Sequence, residues 1–155
     1  MAIENIIICN TADSCQSILA FLRRLTTGVV TATDEAFHFK IDGLYGSVMP
    51  ASALLKELIT TTYSFVPAWR FNLRLDKFEG FAEGLENTIA MSVAVITELA
   101  KDCVIMIPDG NPVVLKVRGR TTIKGPPSDS NEQAILAKIV DCIGQPDAVE
   151  WIPKI

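Results

Sequence analysis

The chain has 155 residues, 49% hydrophobic and 21% charged, which suits one continuous core and leaves too little length for two separately stable units. A net charge of −4 and a pI near 5.0 argue against general binding to nucleic-acid phosphates, because that needs clustered Lys and Arg to displace counterions. No apolar run approaches the ~18 residues needed to span a bilayer, and residues 1–9 lack the basic start of a signal peptide. A cytoplasmic protein with neither membrane nor nucleic acid as partner is the expectation.

Residues 3–9 predict a buried strand. Asp13 or Ser14 then caps a helix with Cys15, Ile18, Leu19, Leu22 and Leu25 on one face, Arg23 and Arg24 complement its C-terminal dipole, and Thr26-Thr27-Gly28 stops it. From Phe37 the period changes to two: Phe37, Phe39 and Ile41 alternate with His38, Lys40 and Asp42. Gly43 breaks this strand, and residues 44–49 form its hairpin partner. Pro50 suits a first helical turn, with Leu54, Leu55, Leu58 and Ile59 as the apolar face and Thr60-Thr61-Thr62 ending the helix.

A second alternating strand sets Phe71, Leu73 and Leu75 against Asn72, Arg74 and Asp76. Residues 77–86, with Gly80 and Gly84, read as an acidic loop or short helical turn. Ile89, Val93, Ile96 and Leu99 then share one face of a long helix. Residues 103–107 and 113–117 are rich in β-branched side chains and flank Pro108-Asp109-Gly110-Asn111-Pro112, which predicts an antiparallel hairpin. Gly125-Pro126-Pro127 interrupts regular structure. Ser130 and Gln133 fit a capping box for a last helix that buries Ile135, Leu136, Ile139, Val140 and Ile143 and stops at Gly144, and Trp151 and Ile152 dock the tail. The expected fold is α+β: a single domain over residues 1–155, mainly antiparallel sheet with about four helices packed against it.

The sequence offers little that reads as chemistry. Cys9, Cys15, Cys103 and Cys142 form no CxxC pair and read as reduced, buried thiols; with His38 the sole imidazole, zinc-ligand spacing is absent. His38 sits on the polar side of a strand, and no nucleophile elbow or phosphate-cradling glycine loop occurs. Neither a catalytic residue, a cofactor site nor a metal site is expected. Asp76, Glu79, Glu83 and Glu86 recur every three or four residues, placing several carboxylates on one side of a helical turn. Such a set meets solvent, a basic partner, a divalent ion or an acid–base task; solvent is the plain reading and a partner the functional one. Among the aromatics, Trp69 and Trp151 are expected at the core or its rim, whereas Tyr45 and Tyr63 are candidates for a partner surface. Arg118 and Arg120 read as solvated edge charges.

The run Arg70-Phe71-Asn72-Leu73-Arg74-Leu75-Asp76-Lys77, followed by an apolar helix and a hairpin ending in Arg118-Gly119-Arg120, resembles the immunity proteins of bacterial polymorphic-toxin systems over about a third of the chain (residues 69–125). The resemblance implies a small non-enzymatic protein that binds and blocks a cognate toxin domain, with acidic side chains opposing a basic groove if the toxin is a nuclease. The expected partner-binding residues are Asp76, Glu79, Glu83, Glu86, Tyr45 and Tyr63. Two other readings stay open: a small enzyme using carboxylates or a cysteine, and a structural or adaptor subunit of a homo-oligomer.

Overall fold

In the computed structural model, which describes residues 3–11, 14–26, 29–76, 78–107 and 110–155, one strand organises the sheet. This is β1 (Ile3–Asn10), whose run Ile6-Ile7-Ile8-Cys9 supplies apolar side chains to both faces. It pairs antiparallel with β5 (Trp69–Leu75) on one side and β6 (Asp102–Ile107) on the other. The sheet grows outward from this centre through β4 (Leu44–Pro50), β3 (Phe37–Ile41) and β2 (Val30–Ala32) beyond β5, and through β7 (Asn111–Val117), β8 (Arg120–Lys124) and β9 (Ala148–Glu150) beyond β6. Every pairing of this nine-stranded sheet is antiparallel except that of β8 with β9. The fold is the expected α+β domain.

Period-two alternation decides which side chains meet which helices. Ile7, Cys9, Phe71, Leu73 and Ile105 face the main core with Ile18 and Leu22 of α1 (Cys15–Thr26), Ile89 and Met91 of α3 (Phe81–Ala94), and Leu136 and Ile139 of α4 (Ser130–Ile143). On the opposite face Ile8, Val104 and Met106 meet Leu55, Ile59 and Tyr63 of α2 (Ala53–Tyr63), together with Ile152 of the tail. Each such side chain contributes about 1.5–3 kcal/mol when fully buried, so the helices are held by their stripes and not by propensity alone. Both alternating strands behave as expected: Phe37 and Phe39 are buried while His38 and Lys40 are exposed, and Phe71, Leu73 and Leu75 are buried beside the exposed Arg74.

Several local expectations are corrected. Pro50 closes β4 opposite Trp69, and the cap of α2 is Ser52, whose side chain accepts from the Leu55 N–H at 3.2 Å. Leu54 and Leu58 point to solvent, and the helix runs through the threonines to Tyr63, ending at the left-handed Ser64. The acidic segment is not mostly loop, because α3 already begins at Phe81 and includes Gly84. Its last turn, Val95–Leu99, widens to a π-helix, where Lys116 Nζ donates to the carbonyls of Ile96 at 2.8 Å and Ala100 at 3.0 Å. Asp129, not Ser130, caps α4 by accepting from the Glu132 N–H at 2.8 Å, and Glu132 reaches back to the Ser128 N–H. Trp151 is 70% exposed, so Ile152 alone of the two docks the tail. Cys15 and Cys142 are exposed and Cys9 and Cys103 buried, all four as free thiols. The proposed cap at Asp13, the stop at Thr27-Gly28, Lys77, and Pro108-Asp109 of the hairpin turn lie outside the described residues.

A backbone contact between distant segments positions the candidate surface. Gly43, at φ 72°, makes the turn between β3 and β4, and this turn lies directly against the start of α3. A Cβ on Gly43 would come within 1.9 Å of the Gly80 carbonyl oxygen, and one on Gly84 within 2.2 Å of the Gly43 carbonyl oxygen. Only glycines let the two backbones approach so closely. Asn87 Nδ2 donates to the Asp42 carbonyl at 2.8 Å, and the Asp76 N–H donates to the Gly43 carbonyl at 3.1 Å, so the turn is clamped to both neighbours.

Candidate partner-binding surface

That clamp creates a shallow depression of about 440 Å³, lined by Lys40, Asp42, Gly43, Tyr45, Asp76, Glu79, Gly80 and Glu83. β3 supplies Lys40 and β4 supplies Tyr45, neighbours in the cross-strand register that continues to Arg74 and Glu4. Asp76 leaves the end of β5, while Glu79 precedes α3 and Glu83 lies in its first turn. Four carboxylates therefore share the lining with one ammonium group. Such an excess attracts cationic groups over roughly a Debye length, about 8 Å at physiological salt.

The individual groups are not equivalent. Asp76 Oδ1 accepts from the backbone N–H of Phe78 at 2.9 Å and of Glu79 at 3.3 Å, which fixes the bend leading into α3. These bonds, helped by the Lys40 and Arg74 charges, hold its carboxyl below the usual range. Lys40 interacts with the Tyr45 hydroxyl, which raises the Lys40 pKa, and its Nζ lies 4.9 Å from the ring centroid. Tyr45, 44% exposed, shares the lining, and Phe78, 92% exposed, sits in the bend that Asp76 fixes.

Of the residues expected at a partner surface, the structure therefore brings together Asp76, Glu79, Glu83 and Tyr45. Glu86 lies one helical turn beyond Glu83, outside the lining, and pairs with Lys138 of α4. Tyr63 is buried at 4% exposure within the second core, its hydroxyl donating to the Pro153 carbonyl at 2.5 Å, and burial pushes its pKa up to about 12. It anchors the tail and presents no surface to a partner. Phe78 and Asp42 were missed. The sequence signal for Phe78 was a large apolar side chain set between Asp76 and Glu79 with no periodic partner.

The groups that would carry nucleophilic chemistry are not part of the lining. His38 is exposed on the sheet, opposite Thr31 on β2 and Ser47 on β4. Cys9 and Cys103 face one another across β1 and β6, where burial pushes both thiols up, Cys103 to about 12. Thiolate, the reactive form, is therefore disfavoured at both. Among the described residues, no group of three or more His, Cys, Asp or Glu side chains is placed to hold a metal ion, and no helix is long and apolar enough to cross a membrane.

Together these features define a one-sheet α+β protein bearing an acidic depression that exposed Tyr45 also lines. Comparison with known proteins extends this no further: no family model, curated protein or solved structure matches the chain.

Proposed function

We propose that the protein is a non-catalytic binding protein of the immunity type, which blocks a cognate toxin by seating a basic segment of it in the acidic depression. The observation carrying this reading is the convergence of Asp42, Asp76, Glu79 and Glu83 around a concavity that exposed Tyr45 also lines, with exposed Phe78 in the bend between Asp76 and Glu79. Protein interfaces concentrate their energy in a few aromatic anchors, while surrounding charges steer encounter and select the partner. An almost fully exposed Phe costs solubility, and covering it with a partner recovers ~1.5–3 kcal/mol. The backbone clamp at Gly43 and Gly84 favours binding further, because a rigid surface loses little conformational freedom on association.

The same geometry supports steric and electrostatic occlusion over turnover. Neither His38 nor the buried thiols belong to the acidic lining, and the depression is open to solvent where an enzyme would exclude water. The test is co-purification with the product of the adjacent gene, which this reading requires to be a toxin with a basic surface. Parent protein captures it, and the double variant Glu79→Lys, Glu83→Lys does not, while retaining its far-UV circular dichroism. Equal capture by parent and variant would remove the depression from the interface.

A further inference from the structure

On the core side of α3 lies a second concavity, separate from the acidic depression and independent of the function proposed for it. It occupies about 220 Å³ between α3, α4 and the strands β1, β5 and β6. Its walls are apolar, with Ile3, Leu75, Leu85, Ile89, Ile135 and Ile139 prominent among them. Phe81, Asn131, Ala134 and Lys138, all exposed, mark its mouth, and the buried Asn5, Thr88 and Ser92 mark its depth. Solvent therefore has a route to an interior that carries polar atoms.

Most of those polar atoms are acceptors. Asn5 is only 3% exposed, and its Oδ1 has no hydrogen-bond partner among the described residues. Thr88 Oγ1 donates its proton to the Gly84 carbonyl at 2.9 Å, and Ser92 Oγ donates to the Thr88 carbonyl at 2.8 Å. Each hydroxyl is left with lone pairs but without a proton to offer. The cavity thus presents acceptors, one of them the orphan Asn5 Oδ1 beside that side chain's own amide N–H2, inside an aliphatic wall. Buried acceptors without partners are rare in folded proteins and call for a donor.

Water alone answers that need poorly. One water occupies about 30 Å³ of liquid volume and requires two to four polar partners; placed at Asn5, it would leave most of the 220 Å³ bounded by hydrocarbon. Apolar cavities of about 150 Å³ already admit a benzene ring. We infer that the crevice between α3 and α4 is a binding site for a small neutral molecule with a compact apolar body and one N–H or O–H donor, directed at Asn5 Oδ1. A charged ligand fits less well, since Lys138, the one cation at the mouth among the described residues, is already paired with Glu86.

Indole and indene test this directly, because they share a bicyclic body and only indole carries an N–H. In a titration of the isotope-labelled full chain, both should shift backbone amide resonances of Thr88, Ile89, Ser92 and Ile135, with indole binding about tenfold more tightly. Asn5→Leu should abolish indole's advantage while retaining indene binding. Ala134→Trp changes only an exposed position at the mouth and should block both ligands, so the inference remains testable if Asn5→Leu does not fold. Failure of both ligands to shift these amides, equal affinity for the two, or unchanged binding in Ala134→Trp would overturn it.

Discussion

Gly84→Ala sets two physical effects of opposite sign against each other. Within a helix, alanine is favoured over glycine by ~0.8–1.0 kcal/mol, so an isolated α3 would gain from the change. In the folded protein the new Cβ would stand 2.2 Å from the Gly43 carbonyl oxygen and 2.8 Å from both the Gly43 carbonyl carbon and Leu75 Cδ2. Leu75 is a side chain and can rotate; the Gly43 carbonyl belongs to a turn. To reach ordinary contact the turn must retreat by about 1 Å, and forced overpacking of this kind costs ~1–3 kcal/mol. That retreat also pulls on the Asp76 N–H bond to Gly43 and the Asn87 bond to Asp42, each worth ~0.5–1.5 kcal/mol net. Less the propensity gain, the expected outcome is a net destabilisation of about 1–3 kcal/mol. Urea unfolding measures it directly, and the melting temperature should fall by ~2–4 °C for each kcal/mol. The depression should also lose partner affinity, because the turn carrying Asp42 moves away from Glu79 and Glu83. A variant stabilised by about 1 kcal/mol would show that α3 and the turn are not in contact, and would refute this account of the surface.

Other perturbations probe separate parts of the structure. Lys124→Met leaves Glu132, 4% exposed, without the ammonium 2.8 Å away, and breaking a buried pair from one side costs ~3–5 kcal/mol; thermal unfolding should show a large drop, and a change under 1 kcal/mol would contradict the pairing. Tyr63→Phe removes the donor to Pro153, so stability should fall by ~0.5–1.5 kcal/mol and limited proteolysis should cut the C-terminal tail sooner; an unaltered tail cleavage rate counts against the anchor. Asp76 has a folded pKa below its ordinary value of 3.8, so its stabilisation is present above that value and is lost as pH falls through the folded pKa. Asp76→Asn should accordingly be less stable than the parent at neutral pH, with the gap closing in acid unfolding below about pH 3.8; a gap independent of pH would contradict the carboxylate's role.

What the sequence disclosed, and what it did not, follows from the range of the forces involved. β3 and β5 were legible because each buries one face and wets the other, so Phe37-His38-Phe39-Lys40 and Phe71-Asn72-Leu73-Arg74 carry their orientation in their order. The edge strands β2 and β9 span only Val30–Ala32 and Ala148–Glu150, too few residues for a period to emerge. β8 was missed because its end residues, Arg120 and Lys124, and its pair Thr121-Thr122 read as polar connection; only Ile123 packs against the main core. The glycines of residues 77–86 read locally as helix breakers, whereas Gly84 serves an approach to Gly43 from forty residues earlier in the chain, which no local pattern records.

The candidate surface divides in the same way. Spacing grouped Glu79 and Glu83 correctly, since they lie together at the start of α3. It could not foresee that Lys138, on another helix, claims Glu86. Tyr63 was read as a candidate for the partner surface because Thr60-Thr61-Thr62 looked like a helix end, but the helix continues and the returning tail takes the Tyr63 hydroxyl. Phe78 went unnoticed because an isolated aromatic residue has no period, and its meaning depends on the depression that its neighbours Asp76 and Glu79 line.

The claim on which the account turns is that Phe78 and the acidic depression meet a basic partner, and binding kinetics against the product of the adjacent gene, which the proposed function requires to be a toxin, address it most directly. Phe78→Ala should leave unfolding within about 0.5 kcal/mol of the parent, as expected for an exposed position, while raising the dissociation rate about thirtyfold, the equivalent of ~2 kcal/mol. Glu79→Lys with Glu83→Lys should instead slow association, and added salt should erase the difference. Parent and variants binding with the same rate constants at low and high salt would contradict the assignment.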